Sequence, residues 1–211
     1  MTELILALDV LTRGEAIYIA DKTAPYLDAI KIGYPLVLSA GMSIVHEIAG
    51  LGLPLIADFK VADIPNTNKL ITEHAFQAGF SAIIAQGFTG SDSVTACVET
   101  AHDYGGSCYV VSEMSHPGAL EFLSGDNAAR IAGMAVECGA DGIIAPATRP
   151  DRVRALREIV GGKKILSPGV GAQGGDAKEI APLIDGMIVG RSIYNAEDPA
   201  KAAEEYSFVR R

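Results

Sequence analysis

Eight short apolar runs alternate with eight helical segments along the chain, and this alternation constrains the fold more than any other feature. Each apolar run has about five residues, the usual length of a strand, and each helical segment is long enough to cross back over a sheet. Strict alternation of this kind predicts parallel strands joined by crossover helices. The predicted strands are Leu4–Asp9, Ala29–Gly33, Leu53–Lys60, Ser81–Gln86, Ser107–Glu113, Gly142–Pro146, Lys163–Pro168 and Gly186–Gly190. The predicted helices are Arg13–Ala24, Leu36–Leu51, Asn66–Gly79, Asp92–Tyr104, Asp126–Gly139, Arg149–Val160, Gly175–Leu183 and Pro199–Phe208.

The number of repeats favours a closed barrel over an open sheet. An open doubly wound sheet typically has about five or six strands and a glycine-rich turn after the first. Here the first strand ends in Ala7-Leu8-Asp9-Val10, with no G-x-G-x-x-G motif. A (β/α)₈ barrel usually has nearer ~250 residues, so 211 residues place the chain at the short end of that class. We expect residues 1–211 to form one α/β domain, a (β/α)₈ TIM barrel.

Charge and hydropathy argue against several classes of protein. The net charge of −9 argues against a nucleic-acid groove, which needs clustered Lys and Arg. No apolar run reaches the ~18 residues of a membrane span, and the N-terminus, Met1-Thr2-Glu3, lacks the basic residues that begin a signal peptide. We therefore expect a cytoplasmic protein with no nucleic-acid partner and no membrane partner.

Cysteine and histidine residues show no spacing that indicates a metal site. The three cysteines, Cys97, Cys108 and Cys138, include no C-x-x-C pair and have no histidine at zinc-finger distance. Free cysteines usually behave as small hydrophobic residues, so we expect these three to pack in the core. The four histidines share no ligand spacing either. The sequence therefore predicts no metal site.

Charged residues stand where the strands of a barrel should be apolar. A strand buried on both faces reads as continuous Val, Ile and Leu, yet the first strand ends in Asp9, the second contains Lys31, and the third contains Asp58 and Lys60. Asp58 and Lys60 are two residues apart, so their side chains share one strand face while Phe59 takes the other. Barrel enzymes carry their chemistry at the carboxyl ends of the strands. We therefore expect the four charged residues to converge on one cavity at that end.

A buried ion-pair network without chemistry is the alternative for these four residues, since buried ion pairs roughly break even against apolar packing. A fold that needed only stability would place aliphatic side chains at those positions. Asp63 follows the third strand and has two interpretations. It could extend the charged array, or it could mark the entry to the helix that begins near Pro65.

Glycine-rich segments follow the seventh and eighth predicted strands. The seventh continues into Ser167–Gly175, with four glycines, and the eighth ends in Gly190-Arg191. In barrels these two loops commonly form a phosphate site from backbone N–H groups and a helix N-terminus. Glycine lets the main chain approach an anion, and Arg191 supplies a forked cation. A flexible loop with a surface arginine is the alternative, but both features at one end of the fold favour a phosphate site.

Together these residues resemble one known family, the orotidine 5′-phosphate decarboxylases, and especially its short archaeal-type members. The segment 58–65, Asp-Phe-Lys-Val-Ala-Asp-Ile-Pro, is similar to the family's D-x-K-x-x-D-I signature. Four further segments resemble its other landmarks, in the same order. They are Lys31-Ile32-Gly33, Ser115-His116-Pro117-Gly118, Pro168-Gly169-Val170-Gly171-Ala172-Gln173 and Gly190-Arg191-Ser192. The resemblance spans nearly the whole chain.

The resemblance implies cofactor-independent decarboxylation of orotidine 5′-monophosphate to uridine 5′-monophosphate (UMP), the last step of de novo pyrimidine nucleotide synthesis. It implies that Lys60 protonates C6 of the pyrimidine within a catalytic array of Lys31, Asp58, Lys60 and Asp63. It also implies a homodimer in which Asp63 and Thr67 reach the site of the partner subunit. The substrate-binding residues that it implies are Asp9, Lys31, Ile64, Thr67, Ser115, Pro168, Gly169, Val170, Gly171, Ala172, Gln173, Gly190 and Arg191.

Two other functions remain open. Related enzymes that act on sugar phosphates share D-x-K-x-x-D, so one alternative is a Mg-dependent 3-keto-gulonate 6-phosphate decarboxylase or hexulose-phosphate synthase. That branch is expected to carry a Mg²⁺-binding glutamate at the position of Lys31, where a lysine would repel the cation. A non-catalytic phosphate-ligand sensor is an alternative of another class, which the complete Lys/Asp array disfavours. Gln86 departs from the histidine expected in many archaeal-type members, and this affects only an expected packing role.

Overall fold

A computed structural model describes residues 2–210 of the chain. Eight parallel strands close into a barrel in sequence order, and β8 pairs with β1, which confirms the predicted (β/α)₈ fold. The strands are β1 (Glu3–Leu8), β2 (Ala29–Gly33), β3 (Leu55–Val61), β4 (Ala82–Gln86), β5 (Ser107–Val111), β6 (Gly142–Ile144), β7 (Lys164–Pro168) and β8 (Gly186–Val189). The helices are α1 (Arg13–Thr23), α2 (Tyr34–Ala40), α3 (Ser43–Ala49), α4 (Pro65–Gln77), α5 (Ser91–Asp103), α6 (Ala119–Phe122), α7 (Gly125–Glu137), α8 (Pro150–Val160), α9 (Ala177–Ile180), α10 (Arg191–Tyr194) and α11 (Pro199–Tyr206).

The structure corrects two of the predicted helices. The predicted helix Leu36–Leu51 is divided into α2 and α3, because Gly41, at φ +79, ends α2. The last helix before β8 begins after the N-cap residue Asp176 rather than at Gly175. The short helices α6 and α10 were not predicted, because four residues carry too little hydrophobic periodicity to identify a helix.

Alternation along the strands separates an outer core from an inner one. Outward-facing side chains pack against the helices, whereas inward-facing side chains fill the barrel. On β1 the inward residues Ile5 and Ala7 are followed, two positions on, by Asp9; on β3 the inward residue Ile56 is followed by Asp58. The same face of the strands is therefore apolar inside the barrel and charged at its carboxyl end.

The cysteines lie where core packing was expected. Cys97 and Cys108 are fully buried, and Cys138 is partly buried against the same helix–barrel core. All three are free thiols. Within residues 2–210, no helix combines the length and the apolar character needed to cross a membrane.

β3 departs from a regular ladder at its charged residues. Its register with β4 moves from Ala57 opposite Ile83 to Val61 opposite Ala85, so β3 takes four residue steps while β4 takes two. A bulge in β3 therefore accommodates the two extra residues. Within this bulge Lys60 has φ +44, the one positive φ of a non-glycine residue among residues 2–210. Such a conformation costs about 1–3 kcal/mol.

Gly142 begins β6 where the neighbouring strand β7 leaves no room for a side chain. A Cβ on Gly142 would lie 2.2 Å from the backbone oxygen of Lys164. We expect Gly142→Ala to lower the free energy of unfolding by about 1–3 kcal/mol, because the backbone must shift. Gly133→Ala on α7 is the control, since a Cβ there meets nothing within 4 Å. The control should raise the free energy of unfolding by up to about 1 kcal/mol.

Urea unfolding of the two glycine variants measures both effects. Equal stability of the two variants would contradict the close approach of β6 and β7.

Candidate active site

A cavity of about 250 Å³ opens at the carboxyl ends of the strands. Its walls combine charged residues, an apolar floor and the edges of several loops. The charged residues are Asp9, Lys31, Asp58, Lys60, Glu113 and Arg191. The apolar residues are Ala7, Ile84, Val111, Met114, Ile144 and Ile188. The remaining lining residues are Ser115, Pro168, Gly169, Val170, Ala172, Gln173, Gly190 and Tyr194. Residues from distant parts of the sequence thus share one space.

The centre of the cavity is a carboxylate shared by two ammonium groups. Lys31 Nζ donates to Asp58 Oδ2 at 2.5 Å, and Lys60 Nζ donates to Asp58 Oδ1 at 2.6 Å. Asp9 Oδ2 lies 3.8 Å from Lys31 Nζ and extends the array. Positive and negative groups therefore alternate along the wall, from Asp9 to Lys60.

Burial and charge act in opposite directions on the two central groups. Burial by itself would lower the pKa of Lys31, but the carboxylates of Asp58 and Asp9 outweigh it and hold this pKa above its ordinary value. Burial by itself would raise the pKa of Asp58, but the ammonium groups of Lys31 and Lys60 outweigh it and hold this pKa below its ordinary value. Both Lys31 and Asp58 are therefore charged at neutral pH.

The two lysines differ in their access to the cavity. The Lys31 side chain is 6% exposed, because Lys31 lies within the fully buried strand β2. The Lys60 side chain is 36% exposed, because Lys60 lies at the end of β3, inside the bulge. Phe59, between Asp58 and Lys60, packs against the helices on the opposite face. Lys60 is therefore the ammonium group that a ligand in the cavity can reach.

Gly33 makes room for Asp9 beside this cluster. A Cβ on Gly33 would lie 3.0 Å from Asp9 Oδ1, closer than the carboxylate could tolerate without moving. With glycine at this position, Asp9 stays 31% exposed and faces the cavity. Asp9 and Lys31 therefore offer an acceptor and a donor on the same wall.

The loops after β7 and β8 form one side of the cavity. Gly169 and Gly190 line it, and so does Arg191, the first residue of α10. Gly171 does not line the cavity. A Cβ at Gly171, which has φ +70, would lie 2.4 Å from Ser192 Oγ, so this glycine allows the loop to pack on α10. Gly171 therefore contributes to the conformation of the loop through its packing on α10, outside the cavity.

A hydrogen bond joins two loops across the cavity. Ser115 Oγ, in the loop after β5, donates to Gln173 Oε1, in the loop after β7, at 2.8 Å. Both residues line the cavity. Two of the predicted substrate-binding side chains therefore lie together in the cavity.

Sequence reasoning missed the group that anchors the loop after β5. Glu113 is fully buried, and its carboxylate accepts from Arg149 Nη1 at 2.6 Å and from Arg152 Nε at 3.0 Å. Arg149 also donates to the backbone oxygens of Met114, Ser115 and His116. An acidic residue two positions beyond the inward-facing Val111 was the available signal. Tyr194, which also lines the cavity, was missed because α10 was not predicted.

Besides Gly171, three of the predicted site residues lie outside the cavity of their own chain. Asp63, Ile64 and Thr67 stand at the start of α4, where Ile64 is 64% exposed. The backbone here is held firmly, since the Asp63 N–H donates to Asn68 Oδ1 at 2.9 Å and Ser93 Oγ donates to the Asp63 carbonyl at 2.7 Å. Within residues 2–210, Asp58 is the one carboxylate paired with Lys60. Asp63 thus makes no contact with Lys60 within this chain.

The side chains at the centre of the cavity are poorly suited to hold a metal cation. Among residues 2–210, no group of three or more His, Cys, Asp or Glu side chains could hold a metal ion. The carboxylate at the centre, that of Asp58, already accepts from Lys31 and Lys60. Gln86 ends β4, two positions beyond the cavity-lining Ile84, with Nε2 3.7 Å from Met114 Sδ and Oε1 buried without a partner in the described chain.

Comparison with protein families and curated proteins gives consistent matches. The family model described as "Orotidine 5'-phosphate decarboxylase / HUMPS family" matches residues 2–206. The chain is 58% identical over 204 residues to the orotidine 5′-phosphate decarboxylase of Methanosarcina barkeri, covering 96% of this chain and 91% of that protein. It is 49% identical over 205 residues to the enzyme of the same name from Thermococcus kodakarensis, covering 96% and 93%.

Solved structures of the same family superpose closely on this barrel. The orotidine 5′-monophosphate decarboxylase of Methanocaldococcus jannaschii, complexed with the inhibitor BMP, gives a TM-score of 0.95 at 44% identity, covering 99% of this chain and 98% of that chain. The orotidine 5′-phosphate decarboxylase of Pyrococcus horikoshii gives 0.90 at 44% identity, covering 98% of each. These matches extend over nearly the whole length and include the D-x-K-x-x-D segment at the mouth of the barrel. The resemblance found in the sequence is therefore confirmed, and the chain belongs to the orotidine 5′-phosphate decarboxylase / HUMPS family.

Proposed function

We propose that this protein is a carboxy-lyase that converts orotidine 5′-monophosphate to UMP without a cofactor, as the last step of de novo pyrimidine nucleotide synthesis in the cytoplasm. The observation that carries the proposal is the pair of ammonium groups on one carboxylate, beside the glycine-rich loops that follow β7 and β8. Curated relatives named for this activity, at 58% and 49% identity, support it. So does the inhibitor-bound neighbour, with a TM-score of 0.95.

The chemistry requires a proton donor at C6 of the pyrimidine. Loss of CO₂ breaks the bond between C6 and the carboxylate carbon, and the electron pair stays on C6. The ammonium of Lys60 donates a proton to that carbon and becomes a neutral amine, which solvent then reprotonates. Lys60 suits this role because it is partly exposed to the cavity and held at 2.6 Å by Asp58.

The surroundings of the substrate carboxylate favour its departure. The negative charge of Asp58 stands beside the lysine, so it orients Lys60 and disfavours retention of a second carboxylate nearby. Ile84, Val111 and Ile144 form an apolar wall in the same cavity. An apolar wall favours neutral CO₂ over a charged carboxylate, because burial of an unpaired charge is costly.

The rest of the cavity would hold the parts of the substrate that do not react. Arg191 and the backbone of residues 168–173 would bind the phosphate, and Asp9 and Lys31 would bind ribose hydroxyls. Ser115 and Gln173 would contact the pyrimidine edge, while the loop that contains Gly171 closes over the phosphate. Binding energy from these remote groups can support the reaction at C6 if it is realised in the transition state.

A homodimer would complete each site. Asp63, Ile64 and Thr67 lie outside their own cavity, on a firmly hydrogen-bonded turn that exposes the apolar Ile64. In the proposed dimer the partner's Asp63 approaches the charge cluster, and the partner's Thr67 contacts the ribose. This arrangement explains why Asp63, an acidic residue of the signature segment, forms no ion pair with Lys60 among residues 2–210 of its own chain.

The sugar-phosphate enzymes of the same family are the second candidate, since the matching family model covers both groups. Those enzymes would need Mg²⁺, and Lys31 and Lys60 occupy the carboxylate that would bind it. A phosphate-ligand sensor would need the loops after β7 and β8 but has no need of the shared carboxylate. Both alternatives predict that turnover of orotidine 5′-monophosphate in a chelator is absent.

Lys60→Ala is expected to lower kcat by at least about 10²-fold, because general acid catalysis typically contributes that much or more. UMP binding should remain measurable by calorimetry, since Arg191 and the glycine loops are unchanged. The matched control is Lys69→Ala, which removes an exposed lysine on α4 that pairs with Glu73. The assay follows the loss of orotidylate absorbance in the presence of a chelator.

Retained turnover in Lys60→Ala would show that Lys60 is not the proton donor. A requirement for Mg²⁺ in the unmodified protein would favour the second candidate.

Mixed dimers test the sharing of Asp63. Lys60→Ala and Asp63→Ala should each be strongly impaired as homodimers. A mixed dimer of the two, isolated through different affinity tags, would contain one site with both residues intact and should recover about half of the unmodified activity, as two-fold symmetry requires. A mixed dimer of Lys60→Ala with Asp58→Ala is the control and should recover nothing, because both residues act in their own chain. If Asp63 also acts in its own chain, the first mixed dimer stays inactive.

A further inference from the structure

The backbone of β3 is held out of register at the residues that carry the charge cluster. Lys60 has a left-handed φ of +44 inside the two-residue bulge. Such a conformation persists only where the surrounding structure over-determines it. The ion pair with Asp58 does not by itself fix this backbone conformation, because it holds only the end of a flexible lysine side chain that is 36% exposed. A constraint from another part of the molecule is therefore needed.

The residue between the two charged groups is anchored much more firmly. Phe59 is 6% exposed and lies in the core between barrel and helices. Its ring stacks on Tyr34 with centroids 5.2 Å apart and planes at 13°. The same ring meets Phe80 edge to face, with centroids 5.5 Å apart and planes at 78°. Both distances lie in the favourable range for aromatic pairs.

These three rings connect the outside of three neighbouring strands. Tyr34 is the first residue of α2 and directly follows β2, the strand of Lys31. Phe80 stands just before β4, the strand against which β3 changes register. The ring of Phe59 is therefore held between Tyr34 and Phe80, and this anchor restrains the backbone of its neighbours Asp58 and Lys60.

We propose that Phe59 is a positioning residue for the reaction: clamped between Tyr34 and Phe80, it holds the bulge that keeps Lys60 left-handed and its ammonium on Asp58. Phe59 touches no substrate and acts only through the backbone of β3. Its effect on turnover rests on the proposed function, whereas its effect on the geometry of Lys60 does not.

Phe59→Leu tests this role, because it keeps an apolar side chain but removes both ring contacts. We expect kcat to fall about 10- to 100-fold, the effect that a displacement near 1 Å can produce. The affinity for UMP should change by less than about twofold, since UMP binding does not depend on the exact position of the Lys60 ammonium group. Phe76→Leu is the matched control, because Phe76 is also a buried ring, stacked on Tyr104 at 5.6 Å. It should lose a similar amount of thermal stability and keep its kcat.

A crystal structure of Phe59→Leu gives a readout that does not depend on turnover. Lys60 should leave the left-handed region, and its Nζ should move away from Asp58 Oδ1. Three results would overturn the proposal: an unchanged Lys60, a changed Lys60 with unchanged kcat, or an equal fall of kcat in Phe76→Leu. If the unmodified protein fails to decarboxylate orotidine 5′-monophosphate, the proposed function fails, and the crystal structure still decides whether Phe59 holds the bulge.

Discussion

One carboxylate, that of Asp58, accepts hydrogen bonds from two ammonium groups, and the candidate site is arranged around this shared acceptor. Buried ion pairs stabilise a fold little more than apolar packing would. Their value here is that they fix charge at one place. Lys31 stays charged inside the barrel because of Asp58 and Asp9, and Lys60 stays aimed into the cavity because Asp58 holds its end and the bulge holds its backbone.

The same cluster determines how stability varies with pH. The pKa of Asp58 is lower in the folded chain, so its contribution is present above the ordinary value of 3.8 and is lost as the pH falls through the folded-state pKa. The pKa of Lys31 is raised, so its contribution is present below the ordinary value of 10.5 and is lost as the pH rises through the folded-state pKa. Both contributions are therefore complete at neutral pH, where the proposed reaction would run.

Local spacing is enough to predict the barrel and the shared strand face of Asp58 and Lys60, because both depend on short-range periodicity. The bulge is not predictable in this way, since the register of β3 against β4 is set by pairing between distant segments. The partnership of Glu113 with Arg149 joins residues 36 positions apart, and no short motif signals it. The backbone of Asp63 is held by hydrogen bonds to Asn68 of α4 and Ser93 of α5. That Asp63 lies outside the cavity of its own chain can therefore be seen only in the folded structure.

The titration of the Asp58 carboxyl carbon, followed by NMR, tests the shared carboxylate most directly. The signal is assigned by its loss in Asp58→Asn. Two donated hydrogen bonds from ammonium groups favour the ionised form, so the midpoint should lie below the ordinary value of 3.8 and should rise when Lys60 is replaced by alanine. A midpoint at or above 3.8 in the unmodified protein would contradict the arrangement on which the site depends.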